Sequence, residues 1–298
     1  MSVVIAFVTT PLFIYKLGAE GYGVYILVTS LIGYYNLLDI GLNQGVTKFV
    51  AEFQQVNDQD AVNRSINVAV SIQVLIGMVA SVLLIVFANS IISILQIDQQ
   101  YNQQARLSIY ACAAGFLLSM ISGTLNAALM GLFRYDLTAK IESIINILLN
   151  LSLLGAVICN FKLSTLVYIN VFFVVVSLVV YYRVLKSNFK FFKLQFFFEV
   201  SHFKLIFKFS SYLMLSKASG IFSNYIVRFI VSYFLGPAAV TLYVVPSKLL
   251  AAFGGLLSSA SNVVFPLASR MGVSDSSKAK NLVLKSSKIF AAVSIPGM

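Results

Sequence analysis

Lys217, Arg228 and Lys248 are the residues best placed to do chemistry, because each puts a positive charge inside an otherwise apolar stretch. A cation at mid-bilayer costs about 3 kcal/mol or more, so such residues face a bundle interior, a wet cavity or a ligand. Lys217 and Arg228 stand eleven residues apart. At ~100° per residue that separation leaves them about 20° apart on one helical face. Ser210, Gly220 and Asn224 fall close to the same stripe, and Lys248 lies mid-way along the next apolar stretch. Acidic partners are scarce: within apolar stretches stand only Asp39 and, near a span end, Glu142. The excess of cations makes a positive cavity, which suits an anionic ligand such as a phosphate or diphosphate. The competing reading pairs each cation with a carboxylate, or lets Arg228, near an outer end, snorkel to the interface.

Asp39 shares a helical face with Asn36 and Asn43, at spacings of three and four. Its plain role is counter-ion to one of the lysines. Its sharper role is a titratable or sodium-coordinating group coupling the protein to an ion gradient. Glu142, Asn146 and Asn150 form a similar stripe, as do Ser119, Ser122 and Asn126. Several such stripes in one half fit the walls of a hydrated cleft better than helix packing alone. Catalytic sets are missing. His202 is the single histidine, Cys112 and Cys159 sit apart in apolar runs, and no GxxxxGK[ST] occurs. Zinc, thiol and nucleotide chemistry are therefore not expected, and neither is an enzyme. No cofactor is implied beyond a proton or sodium gradient.

The elements that must position these residues are membrane helices. Of 298 residues, 59% are hydrophobic and only 10% charged, and mean hydropathy is +0.90. A soluble chain has about a quarter charged, so the composition is that of an all-α polytopic membrane protein. Apolar runs long enough to span, at ~20 residues each, are read at about 1–16, 22–46, 66–95, 107–132, 139–160, 163–185, 206–235 and 238–268, with another starting near 286. Both ends read as those of a shortened polypeptide. Net charge is +11, yet the basic residues cluster in short gaps rather than on a soluble face. Nucleic acid is therefore a weak alternative. With a cytoplasmic N-terminus, fifteen Lys and Arg fall in inner gaps and three in outer ones, which sets the orientation. The inner gap 47–64 could form an amphipathic interfacial helix. The Lys- and Phe-rich linker beginning at 186 reads as a membrane-surface connection between halves. The expected domains are a six-helix bundle over 1–185, a basic linker over 186–205 and an incomplete second bundle over 206–298, with two full helices and the start of a third.

A faint repeat supports two halves. Leu17-Gly18 with Tyr25 recurs as Leu235-Gly236 with Tyr243. The offset of 218 residues maps the first hairpin onto the seventh and eighth spans in the same orientation, as in a parallel repeat about the membrane normal.

The run Lys16-Leu17-Gly18-Ala19-Glu20-Gly21-Tyr22-Gly23-Val24-Tyr25 and the run Leu38-Asp39-Ile40-Gly41-Leu42-Asn43-Gln44-Gly45-Val46-Thr47-Lys48-Phe49-Val50-Ala51-Glu52 resemble the opening hairpin of bacterial O-antigen and polysaccharide repeat-unit flippases. These belong to the multidrug/oligosaccharidyl-lipid/polysaccharide exporter superfamily. Leu235-Gly236-Pro237 followed by Tyr243, Pro246 and Lys248 is similar to the start of that family's second half. The resemblance implies two bundles forming a V-shaped cleft, the second truncated here. It implies an inner-membrane protein that carries undecaprenyl-diphosphate-linked oligosaccharide to the outer leaflet by alternating access. Lys217, Arg228, Lys248 and Asn224 would bind the diphosphate-sugar, and Asp39, Asn43 and Glu142 would serve ion coupling or charge balance. Expected partners are the lipid-linked oligosaccharide and inner-membrane lipids, with a polysaccharide polymerase and a chain-length regulator as candidate proteins. Alternatives are a multidrug or small-cation exporter, whose cavity should be acidic, a membrane enzyme such as a polymerase, which would want a large outer loop, and a non-transporting component of polysaccharide synthesis.

Overall fold

Glycine sets the first bend. A computed structural model describes residues 2–33, 39, 41–189, 191–195, 210, 226–248 and 250. Helix α1, Ser2–Gly33, is broken at Gly18, which adopts φ 73 and ψ 166. That region is open in practice only to a residue without Cβ. Phe13 packs across the bend on Tyr22 and Tyr25, with ring centroids 5.7 and 5.5 Å apart. Gly236, within the helix Val227–Lys248, also has a positive φ, 79, and is followed by Pro237.

The span read at 22–46 is not continuous. Gly41 takes φ 71 and the chain restarts as α2, Leu42–Gln55. Leu42, Val46, Phe49 and Val50 are buried along one side of α2, the spacing of an amphipathic helix. This is the amphipathic helix expected in the inner gap, begun five residues earlier. The span read at 66–95 also divides, into α3, Gln59–Val86, and a short α4, Ala88–Ile94. Asp58 caps α3 by accepting from the Ala61 N–H at 2.9 Å. Then come α5, Gln99–Gly131, α6, Tyr135–Ile158, and α7, Leu163–Asn188. The last described element is α8, Val227–Lys248. All regular structure among the described residues is helical.

Five described helices, α3, α5, α6, α7 and α8, are long and apolar enough to cross a membrane. The protein is a multi-pass membrane protein. On α3 the side chains of Leu75, Val79, Val82 and Val86 are exposed at helical spacing, a stripe that water would penalise and lipid tails would not. The chain divides into two compact units, one of Val4–Thr241 with Ser2, the other of Leu242–Met298 with Met1 and Val3.

Within the larger unit one core joins α2, α3, α5 and α7 through Val46, Val50, Ile66, Leu125, Leu129 and Leu185. Polar contacts between helices add specificity that apolar packing lacks. Ser81 donates to the Ala113 carbonyl at 2.6 Å, and buried Cys112 donates to the Val28 carbonyl at 3.4 Å.

The stretch that follows α7 is held by two asparagines one turn apart on α3. Asn67 donates to the Lys193 carbonyl at 2.8 Å and accepts from the Gln195 N–H at 2.9 Å, while Asn63 accepts from the Lys193 N–H at 3.0 Å. Phe192, 4% exposed, anchors the same stretch against the Tyr182 ring at 6.1 Å. Asn67→Leu should therefore free this backbone. Hydrogen exchange at Gln195 is expected to quicken about tenfold or more, since an amide bond to a buried partner is worth ~1–3 kcal/mol. Exchange unchanged from wild type would refute the clamp.

Candidate functional site: a polar groove and charged side chains in the helical bundle

Two of the polar stripes meet, joined by α7. A groove of about 290 Å³ is lined by Ser119, Ser122 and Asn126 of α5, Glu142 and Asn146 of α6, and Ser177 and Tyr181 of α7. A second cavity of about 230 Å³ shares Ile32, Ile145, Val174 and Ser177 with it and adds Thr29 and Asn170. The Asn126 amide donates to Glu142 Oε1 at 2.8 Å. Its own Oδ1 is buried and has no partner among the described residues. Ser177 donates to the Val174 carbonyl at 2.7 Å and lies 2.9 Å from the Ser122 hydroxyl. The Asn170 amide donates to the Tyr25 hydroxyl at 3.0 Å and to the Leu166 carbonyl at 2.8 Å.

Asp39 sits in a second network. Its carboxylate accepts from the Gln73 amide at 2.6 Å and from the Asn43 N–H at 3.2 Å, in the first turn of α2. The second bond places a negative charge where the helix presents unpaired N–H groups. Asn43 Oδ1 accepts from Thr124 at 3.2 Å, and Thr47 donates to the Ala127 carbonyl at 3.1 Å, tying α2 to α5. Gln73 is fully buried, and its Oε1 has no partner among the described residues.

The cations divide. Arg228, half-buried on α8, donates from Nη1 to Ser30 Oγ at 2.9 Å. Ser30 is itself buried and donates to the Ile26 carbonyl at 2.7 Å. The guanidinium thus reaches inward to α1. Lys248, on α8, is exposed and belongs to the smaller unit. Lys217 and Asn224 lie outside the described residues, as does Asn36.

The polysaccharide biosynthesis protein family matches residues 17–298. The chain belongs to that family. A Shigella flexneri protein named "Putative O-antigen transporter" is 25% identical to this family member over 280 residues, 94% of the chain and 66% of the relative. The chain therefore spans just under two thirds of that relative's length. A solved structure titled as the outward-facing conformation of a multidrug resistance MATE family transporter of the MOP superfamily covers 98% of the chain and 74% of its own, with TM-score 0.63 and 14% identity. At that identity the likeness is one of fold.

Among the residues of these networks, sequence reasoning passed over Gln73, Thr124, Ser177 and Tyr181. Gln73 and Ser177 are single polar residues inside apolar runs, a signal as legible as that of Asp39. Thr124 and Tyr181 carry no such mark, because both types are ordinary in membrane helices.

Proposed function

We propose that this protein is a flippase for lipid-linked oligosaccharide, moving an undecaprenyl-diphosphate-linked glycan from the cytoplasmic to the outer leaflet of the inner membrane by alternating access. The observation that carries this reading is the family match over residues 17–298. The named relative's O-antigen transport and the fold likeness to a MOP-superfamily transporter support it. So does the physical task. A diphosphate and several sugars crossing hydrocarbon unaided would cost many kcal/mol, and a wet path in which cations meet the diphosphate would remove most of that cost. Lys217, Arg228, Lys248 and Asn224 are the proposed diphosphate-sugar ligands. Asp39, with Asn43, is the proposed ion-coupling group, and Gln73 its hydrogen-bond partner. The N-terminus is taken as cytoplasmic, with a first bundle over 1–185, a linker over 186–205 and the second bundle beyond.

Deleting the gene in its host should strip surface glycan and leave glycan-loaded polyprenyl diphosphate on the cytoplasmic leaflet. Unchanged surface glycan would overturn the reading. A second reading, export of small organic cations, draws on Glu142, the charged side chain in the groove. In that case the deletion strain keeps its surface glycan and becomes sensitive to ethidium.

A further inference from the structure

We propose that the groove between α1, α5, α6 and α7 seats a neutral sugar of the carried glycan, apart from the cations that take its diphosphate; this rests on the flippase reading above. The argument is one of donors and acceptors. Ser177 gives its single hydroxyl hydrogen to the Val174 carbonyl, so in the 2.9 Å contact with Ser122 it is Ser122 that donates. The lone pairs of Ser122 are left facing its surroundings. Asn126 commits an amide hydrogen to Glu142. Glu142 adds an exposed carboxylate with two acceptor oxygens. The groove therefore presents acceptors that want donors.

A phosphate has only acceptors at neutral pH and is repelled by Glu142, and no Lys or Arg lines the groove among the described residues. A pyranose supplies what is missing. Its hydroxyls donate, and a vicinal pair can meet one carboxylate bidentately. Its C–H faces suit the apolar floor made by Ile32, Ile145 and Val174, which both cavities share. At about 290 Å³ for one cavity and 230 Å³ for its neighbour, the space is on the scale of a small-molecule site rather than of a bare ion. Thr29 and Asn170 extend the same polar character along the groove, enough for a second ring.

The test uses the full chain in lipid nanodiscs and two probes: undecaprenyl diphosphate carrying the host's oligosaccharide, and undecaprenyl diphosphate without it. Glu142→Gln keeps the shape and the bond from Asn126 while removing the charge. It is expected to weaken binding of the glycan-loaded lipid about tenfold, the scale of one charge-assisted hydrogen bond, and to leave the bare lipid unaffected. Asn146→Ala, on the exposed side of α6, should act in the same direction and less strongly. Equal affinities of wild type and Glu142→Gln for both lipids would overturn the sugar subsite, and so would a loss that is the same for both. The flippase reading stands or falls separately: it fails if wild type binds neither lipid, or if Lys217→Ala weakens neither.

Discussion

Cells carrying Lys217→Ala or Lys248→Ala are expected to display no surface glycan while making normal amounts of the membrane protein. Each ammonium is a candidate ligand for the diphosphate, and a hydrogen bond between charged groups is worth ~1.5–3 kcal/mol, more where water is excluded. Losing one contact lowers the affinity for the carried lipid ~10- to 150-fold, and a flippase meets its substrate at low concentration in the bilayer. Neither substitution should unfold the protein: Lys248 is exposed, and Lys217→Ala takes a costly cation out of an apolar stretch. Lysine to arginine should keep much of the display, because charge is retained. Arg228→Ala should show a milder loss of display with a measurable loss of stability, since that side chain bonds Ser30 on α1. The measurement is surface glycan by lectin or antiserum, against protein level by immunoblot. Full display in both lysine variants would defeat the cationic-site proposal.

The second large effect is structural and falls on Gly23. A Cβ built there would run into the backbone carbonyl of Pro237, within the same unit. A carbonyl cannot rotate away as a side-chain tip does, so the two segments must part. A neighbouring bond shows how closely they are joined: Thr241 donates to the Ala19 carbonyl at 2.6 Å. Gly23→Val is expected to destabilise the protein by ~3 kcal/mol or more, and Gly23→Ala by somewhat less, at the upper end of what overpacking costs. The check is the melting temperature in detergent followed by size-exclusion chromatography. Gly155→Ala is the control: nothing lies within 4 Å of its Cβ, so it should be neutral or stabilising by ~0.5–1 kcal/mol. Equal melting of Gly23→Val and wild type would mean that α1 and the segment at Pro237 do not pack as described.

Much of the architecture was legible in local pattern. Apolar runs of membrane length and the amphipathic helix that became α2 each follow from a period or a residue type. The runs at 22–46 and 66–95 misled because hydropathy does not register a break. Residues on both sides of Gly41 and of Phe87 are apolar enough to lie in one span, and only backbone geometry separates α1 from α2 and α3 from α4.

What the amino-acid sequence determined by itself is the membrane character, the helix order and the set of polar residues expected to face inward. Tertiary structure decided their company. Asp39 meets Gln73 from 34 positions away, Arg228 meets Ser30 across 198, and Asn67 holds the backbone 126 residues downstream. The groove exists because α5, α6 and α7 turn their Ser, Asn and Glu stripes toward one another. The reason is physical: in a bilayer, lipid and neighbouring helices are equally apolar, so hydropathy sets where a helix sits but not how it is rotated about its axis. That rotation is fixed by interhelical hydrogen bonds and by close backbone contacts such as Gly23 on Pro237, pairings between residues far apart along the chain.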